Sequence, residues 1–124
     1  MLQNEKRMLE ILSCLKKDFK AFALQAEFEA EGASFKEVQK LKELAKKIPL
    51  NLTLKIQGAE AVKDLKEAKT LDIDGIVAPM IESAYALEKF SRAKSLIFGE
   101  EKKEFFINIE TKQVLKNLDE ILES

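Results

Sequence analysis

The hydrophobic positions of this chain change period repeatedly, from helix-like to strand-like and back. Between Ser34 and Ile48, apolar residues recur every three or four positions, which predicts an amphipathic helix, and Ser34 with Glu37 predicts a capping box at its start. Runs of period two predict strands. The pattern predicts a helix over roughly the first eighteen residues and then four strand–helix pairs. The predicted strands are 22–30, 50–56, 75–81 and 104–110, and the helices after them are 34–48, 59–71, 83–98 and 115–124.

This order predicts an α/β fold, because a crossover helix between two strands places those strands parallel in one sheet. The length predicts a single domain over residues 1–124. A closed (β/α)8 barrel needs eight strands and typically about 250 residues. Two architectures therefore remain open: a small open α/β sheet, or about half of a TIM barrel that continues beyond the chain end.

Three of the four predicted strands have one polar face. The polar residues, which alternate with apolar ones, are Gln25, Glu27 and Glu29 in the first strand, Thr53, Lys55 and Gln57 in the second, and Asn108 and Glu110 in the fourth. The apolar stripes of the helices must cover the opposite faces. The polar faces then either line a barrel interior, with polarity rising toward the carboxyl ends where barrel active sites lie, or form the wet side of a single-layered sheet.

The third strand is apolar, and its end carries two further signals. Pro79 cannot donate a ladder hydrogen bond, so it is expected at the strand's end, in a rim position. Ile76, Ala78 and Met80 share the face that leads to Glu82. Glu82 either lines the same rim or lies in the first turn of the next helix, where the helix dipole favours an anion.

Composition and charge narrow the classes of function. A formal net charge of -1 argues against nucleic acid as the main partner. Cys14 is the only cysteine, and the chain shows no signal peptide or membrane-spanning segment, so we expect a cytoplasmic protein with no membrane partner. The absence of histidine leaves carboxylates, lysine, hydroxyls or an oxygen-bound metal for any catalysis. The lysines at 40, 42, 46 and 47 are expected on a solvated helix surface.

Four segments together resemble the N-terminal part of one enzyme superfamily. They are "AEFEAEG", "LTLKIQG" with "EAVKDLKEAK", "DGIVAPMIESAYAL" and "FFINIET", and they cover the chain from about Phe22 onward. The resemblance is to the HpcH/HpaI aldolase and citrate lyase beta-subunit superfamily, which are TIM barrels of the phosphoenolpyruvate/pyruvate type. It implies a lyase that makes or breaks carbon–carbon bonds through an enolate of a 2-oxo acid or acyl thioester. It also implies a bound Mg²⁺ or Mn²⁺.

The same resemblance suggests roles for individual residues. It places the metal ligand on Glu110, and it places Lys55 where the family usually has an arginine that grips the substrate carboxylate. Lysine is a point charge and cannot make that bidentate contact. Glu29 lies near the position of a histidine in the aldolase branch, and the family's second metal ligand would lie beyond Ser124. The catalytic candidates are therefore Lys55 and Glu29, and the substrate-binding candidates are Glu27, Gln57, Pro79, Met80 and Glu82.

The predicted function is a metal-dependent carbon–carbon lyase acting on a small carboxylate or thioester. The alternative is a non-catalytic half-barrel that binds or assembles through its open face. Glu110 either binds metal or pairs with Lys55 across the interior, and we expect Lys55 within ion-pair reach of Glu29 or Glu110. Because exposed strand edges invite pairing, we also expect a homo-oligomer or closure by a second half.

Overall fold

The computed structural model describes residues 3–124 and shows four strands that alternate with helices, with two short helices after the last strand. The strands are β1 (Ala23–Glu27), β2 (Asn51–Lys55), β3 (Gly75–Ala78) and β4 (Glu104–Ile107). The helices are α1 (Gln3–Phe19), α2 (Phe35–Lys47), α3 (Val62–Thr70), α4 (Ala84–Phe98), α5 (Lys112–Lys116) and α6 (Leu118–Glu123). The first two residues of the predicted N-terminal helix lie outside the described residues.

The four strands form one parallel sheet in the order β1-β2-β3-β4. Ala26, Leu54, Ile76 and Phe105 form one row across the sheet, and Glu27, Lys55, Val77 and Phe106 form the next. A helix joins each strand to its neighbour, so the chain is an α/β protein built from successive β-α units. This is the arrangement of about half of a (β/α)8 barrel, as predicted.

The helices cover one face of this sheet and leave the other face open. On the covered face, Leu54 and Ile76 are fully buried in one core cluster with Val38 of α2 and Leu65 of α3. On the open face Gln25 is exposed. Within residues 3–124 the sheet is therefore single-layered, and the polar strand positions point away from the helices.

Aromatic packing fastens α4 to the edge of the sheet. The Phe105 ring meets Phe90 at 6.1 Å and Phe98 at 5.5 Å between ring centroids, both in edge-to-face geometry. Such pairs add to the stabilisation that burial of their area provides. The β4 strand is thus held from its covered side although its outer edge carries no strand of residues 3–124.

All four strands are shorter than the hydrophobic pattern predicts. The β3 strand stops at Ala78, because Pro79 has no N–H to donate and Met80 turns to a left-handed backbone with φ of 50°. Pro79 therefore lies at the strand's end, as expected. After β1 the chain bends, and the Ala33 N–H donates to the Glu27 carbonyl at 3.1 Å.

Two expectations for the helices need correction. Lys42 was expected on a solvated surface, but it is buried, and its Nζ donates to Asp74 Oδ2 at 2.6 Å. That carboxylate oxygen also accepts from the Leu52 N–H at 2.7 Å. The predicted helix over 115–124 is two short helices, because the chain breaks at Asn117, which has φ of -112°.

Other expectations for the helices are confirmed. The capping box of α2 is present, with Ser34 Oγ accepting from the Glu37 N–H and the Glu37 carboxylate accepting from the Ser34 N–H. Leu65 and Ala68 of α3 are buried, as expected for a helix whose apolar side covers the sheet. Among the helices of residues 3–124, none has the length and apolar character needed to cross a bilayer.

Candidate functional site

The charged residues of the open face meet at the carboxyl ends of the strands, around Lys55. This lysine is the last residue of β2, and its side chain is 12% exposed. Its Nζ lies 2.9 Å from Glu29 Oε2 and 4.0 Å from Glu110 Oε2. The expected contact with Glu29 or Glu110 is confirmed, and Lys55 lies within ion-pair reach of both, between the ends of the two outer strands.

Strand pairing and hydrogen bonds place Glu27 and Glu29 close to Lys55. Glu27 is in register with Lys55 on the neighbouring strand, and Gln25 Nε2 donates to Glu27 Oε1 at 3.0 Å. The Phe28 N–H donates to the Lys55 carbonyl at 3.0 Å, which extends the pairing beyond β1 and directs Glu29 to the open side. The Oε2 atom of Glu29 is shielded from water. Its contact with Lys55 Nζ is an ion pair that lacks the alignment of a hydrogen bond.

These carboxylates raise the pKa of Lys55 above its ordinary value. The contact with Glu29 has the largest effect, burial opposes it, and the charges of Glu110 and Glu27 add to it. Lys55 is therefore a stable ammonium at neutral pH. It can bind an anionic group or stabilise developing negative charge, but it is not poised as a neutral amine for Schiff-base formation.

The carboxylate of Glu110 is fixed from the neighbouring strand end. Its Oε1 accepts the Met80 N–H at 2.9 Å, while its Oε2 faces Lys55. The Glu110 side chain is 36% exposed. One oxygen is therefore occupied by the main chain, and the other faces the open side of the sheet.

The other residues that the sequence predicts for the site differ in their exposure and in their hydrogen bonds. Gln57 is exposed, and its N–H and Nε2 are directed at Asp64 at 2.8 and 3.5 Å. Pro79 is fully buried, and Met80 is 45% exposed. Glu82 lies just before the Ser83 cap of α4 and so outside the first helical turn.

Sequence reasoning missed two features near the site. Asp64 in the first turn of α3 is a buried carboxylate that holds the loop after β2 through Gln57. An acid three residues after a helix cap is the signal that could have indicated it. The open face is also less polar than expected, because Val77 and Phe106 lie at its centre, where a shallow depression of about 420 Å³ opens.

The site meets only part of the needs of a metal ion. Among residues 3–124, no three His, Cys, Asp or Glu side chains are placed to hold an ion together. Glu110 alone offers a hard oxygen ligand of the kind that Mg²⁺ accepts with water and substrate oxygens. The described residues therefore provide one ligand, Glu110, of the several that a metal ion needs.

Comparisons with known proteins do not assign this chain to a family. The sequence matches no protein-family model, and it matches none of the curated proteins. A function can therefore be inferred only from the site around Lys55 and from the resemblance of the four sequence segments.

Proposed function

We propose that this chain carries part of the active site of a metal-dependent carbon–carbon lyase. Its substrate would be a small 2-oxo acid or an acyl thioester that reacts through an enolate. The observation that carries the proposal is the placement of Lys55 between Glu29 and Glu110 at the carboxyl ends of parallel strands. In barrel enzymes this end of the sheet holds the active site.

The residues of this chain would have distinct roles. Lys55, kept charged by its neighbours, would bind the carboxylate or the developing enolate of the substrate. An entering anion competes with Glu29 for the ammonium, so Glu29 would be released as the substrate binds. A released glutamate beside the substrate is a candidate general base. Glu27, Gln57, Met80 and Glu82 are proposed to line the substrate's path.

Glu110 would be the ligand that this chain provides to Mg²⁺ or Mn²⁺. Its Oε2 faces the open side, and its Oε1 is held by the Met80 N–H. The bound ion would supply Lewis-acid stabilisation of the enolate oxygen. Because a single carboxylate binds Mg²⁺ weakly, we expect low affinity and little selectivity between the two metals.

Metal binding tests the proposal directly. We expect Mn²⁺ to bind the wild-type chain weakly, and Glu110→Gln to reduce the affinity about tenfold, or about 1.4 kcal/mol. Glu43→Gln on the exposed surface of α2 is the matched control, because it removes one charge far from the open face. Equal Mn²⁺ binding by wild type and Glu110→Gln in titration calorimetry would remove Glu110 from the site.

Activity provides a second test. We expect no measurable turnover of pyruvate-derived aldol substrates by the 124-residue chain with Mg²⁺, because residues 3–124 present an incomplete donor set and an open rim. Turnover that Glu110→Gln abolishes would show that this half-site suffices for catalysis.

A second candidate function is a non-catalytic binding or assembly module. The open sheet face favours it, since Phe22 is 73% exposed and Phe106 is 42% exposed beside unpaired strand edges. Such a module would associate through this face without needing Glu110. Association that is unchanged in Glu110→Gln, together with no Mn²⁺ binding by the wild type, would favour the module over the lyase.

A further inference from the structure

The loop after β3 has an unusual backbone at one position. Met80 has φ of 50°, in the left-handed region that non-glycine residues rarely adopt. Its neighbours Pro79 and Ile81 are both fully buried, whereas Met80 is 45% exposed. The chain is therefore anchored in the core on both sides of a single left-handed residue.

This turn has a definite hydrogen-bonding consequence. The last main-chain bond between β3 and β4 runs from the Asn108 N–H to the Ala78 carbonyl, at 2.9 Å. Two residues later in each strand, the Met80 N–H donates to Glu110 Oε1, also at 2.9 Å. A side-chain carboxylate thus takes the next position along the ladder, and its second oxygen faces Lys55.

We propose that the main-chain N–H of Met80, directed by the left-handed backbone at that residue, is the positioning group for the Glu110 carboxylate. Met80 acts through Glu110 and through its backbone. This differs from the substrate-binding role considered for its side chain. The inference deepens the proposed function, on which its metal-binding arm rests, but the hydrogen bond itself can be measured without any metal.

Two substitutions at residue 80 separate backbone from side chain. Met80→Gly deletes the side chain but adopts a positive φ readily, so we expect the hydrogen bond to be kept. Met80→Val keeps an apolar side chain but is β-branched and opposes positive φ, so we expect the hydrogen bond to be weakened or lost. The measurement is the through-hydrogen-bond NMR coupling between the Met80 amide nitrogen and the Glu110 carboxyl carbon.

Lys20→Val is the matched control, because Lys20 is an exposed non-glycine residue with a similar φ of 59°. We expect it to lower stability through the same backbone conflict without changing the Met80–Glu110 coupling. Coupling at full strength in Met80→Val, or lost equally in Met80→Gly, would overturn the inference.

A third variant answers the question even if Met80→Val does not fold. Replacing Met80 by the corresponding α-hydroxy acid converts the Pro79–Met80 amide into an ester, so that an oxygen takes the place of the N–H while the side chain stays in place. We expect the Glu110 side chain to become more mobile in NMR relaxation and Mn²⁺ affinity to fall about tenfold, as when an outer ligand partner is removed. An equally ordered Glu110 in the ester variant would refute the positioning role. Absence of Mn²⁺ binding in the wild type would instead refute the proposed function and leave the NMR result to decide this inference.

Discussion

Two lysines show what a single residue reveals in this sequence. Lys55 was expected to meet an acid because it lies on a polar strand face, and it does so at 2.9 Å from Glu29. Lys42 was expected in solvent because it lies among other helix lysines, yet it is buried and bonded to Asp74 at 2.6 Å. Strand alternation fixes a face locally, whereas the partner of Lys42 lies 32 residues away and becomes a neighbour only in the folded chain.

Lys42 should therefore contribute more to stability than its exposed neighbours on α2. Removing one partner of a buried pair leaves the other charge uncompensated, although the 34% exposure of the Asp74 side chain reduces the cost. We expect Lys42→Ala to lower the free energy of unfolding by about 2 kcal/mol. Lys40→Ala removes an exposed pair with Glu5 and should cost less than about 1 kcal/mol. Urea unfolding of both variants measures the contrast, and equal effects would contradict it.

At the scale of elements, the strand ends carry most of the functional geometry. Alternation predicted which residues of β1, β2 and β4 point to the open side, but it extended every strand past its end. The ends depend on particular interactions: the left-handed turn at Met80, the Ala33 to Glu27 hydrogen bond, and the contact of Gln57 with buried Asp64. The first is a turn of the backbone, and the other two join residues six and seven positions apart. The alternation of polar and apolar residues along a strand does not predict such local features.

The β3 strand should be intolerant of a side chain at Gly75. A methyl group there would lie 2.9 Å from Thr53 Cγ2 and 3.3 Å from Phe106 Cε2 on the open face. We expect Gly75→Ala to cost about 1–3 kcal/mol in unfolding free energy, and Thr53→Ser to restore part of it by removing the nearer methyl. Gly58→Ala, with no atom within 4 Å, should change stability by less than about 0.5 kcal/mol. Additive costs in the Gly75→Ala/Thr53→Ser double variant would contradict the contact.

An ion pair in the turn between α3 and β3 should make the free energy of unfolding depend on pH in the acidic range. Lys103 bonds Asp72 Oδ1 at 2.6 Å and lowers the pKa of Asp72, against a smaller opposing effect of burial. A carboxyl group whose pKa is lower in the folded state stabilises at pH values above its unfolded pKa of about 3.9, and this stabilisation is lost as pH falls through the folded pKa.

The measurement compares wild type with Asp72→Asn, since asparagine also tolerates the φ of 51° found there. We expect a constant difference in unfolding free energy from about pH 7 to pH 5 that shrinks below about pH 4. Asp119→Asn, at an exposed position of α6, is the control that removes the same charge without touching this ion pair. A difference that persists unchanged at the lowest pH would mean that the ion pair with Lys103 is not its source.

At the scale of the whole molecule, the sheet of residues 3–124 has an open face and two unpaired edges. Exposed apolar residues lie next to both edge strands in the sequence. Phe22, just before β1, is 73% exposed, and Leu115, in the helix after β4, is 67% exposed. Acidic residues lie at the ends of both outer strands: Glu27 is the last residue of β1, Glu29 follows β1, and Glu110 follows β4. Hydrophobic surface therefore favours association of two sheets, and like charges oppose it.

We expect this chain to self-associate, and to do so more strongly as salt or Mg²⁺ screens the acidic strand ends. Sedimentation velocity over a range of protein and salt concentrations measures this. Phe22→Gln should weaken the association by removing exposed apolar surface at the β1 side without changing the charge, while Leu96→Gln, at a position of α4 that is 78% exposed, serves as the control. A stable monomer at high concentration and high salt would contradict the prediction.

The sequence by itself determined the α/β class, the order of the elements, the parallel sheet and the face on which Lys55, Glu29 and Glu110 lie. These features follow from local periodicity, since residues two or four apart share a face whatever the rest of the chain does. Tertiary structure alone decided the burial of Lys42 with Asp74 and the capture of the Glu110 carboxylate by the Met80 N–H. Each of these is a contact between segments about thirty residues apart, and its energy depends on geometry that exists only after the segments pack together.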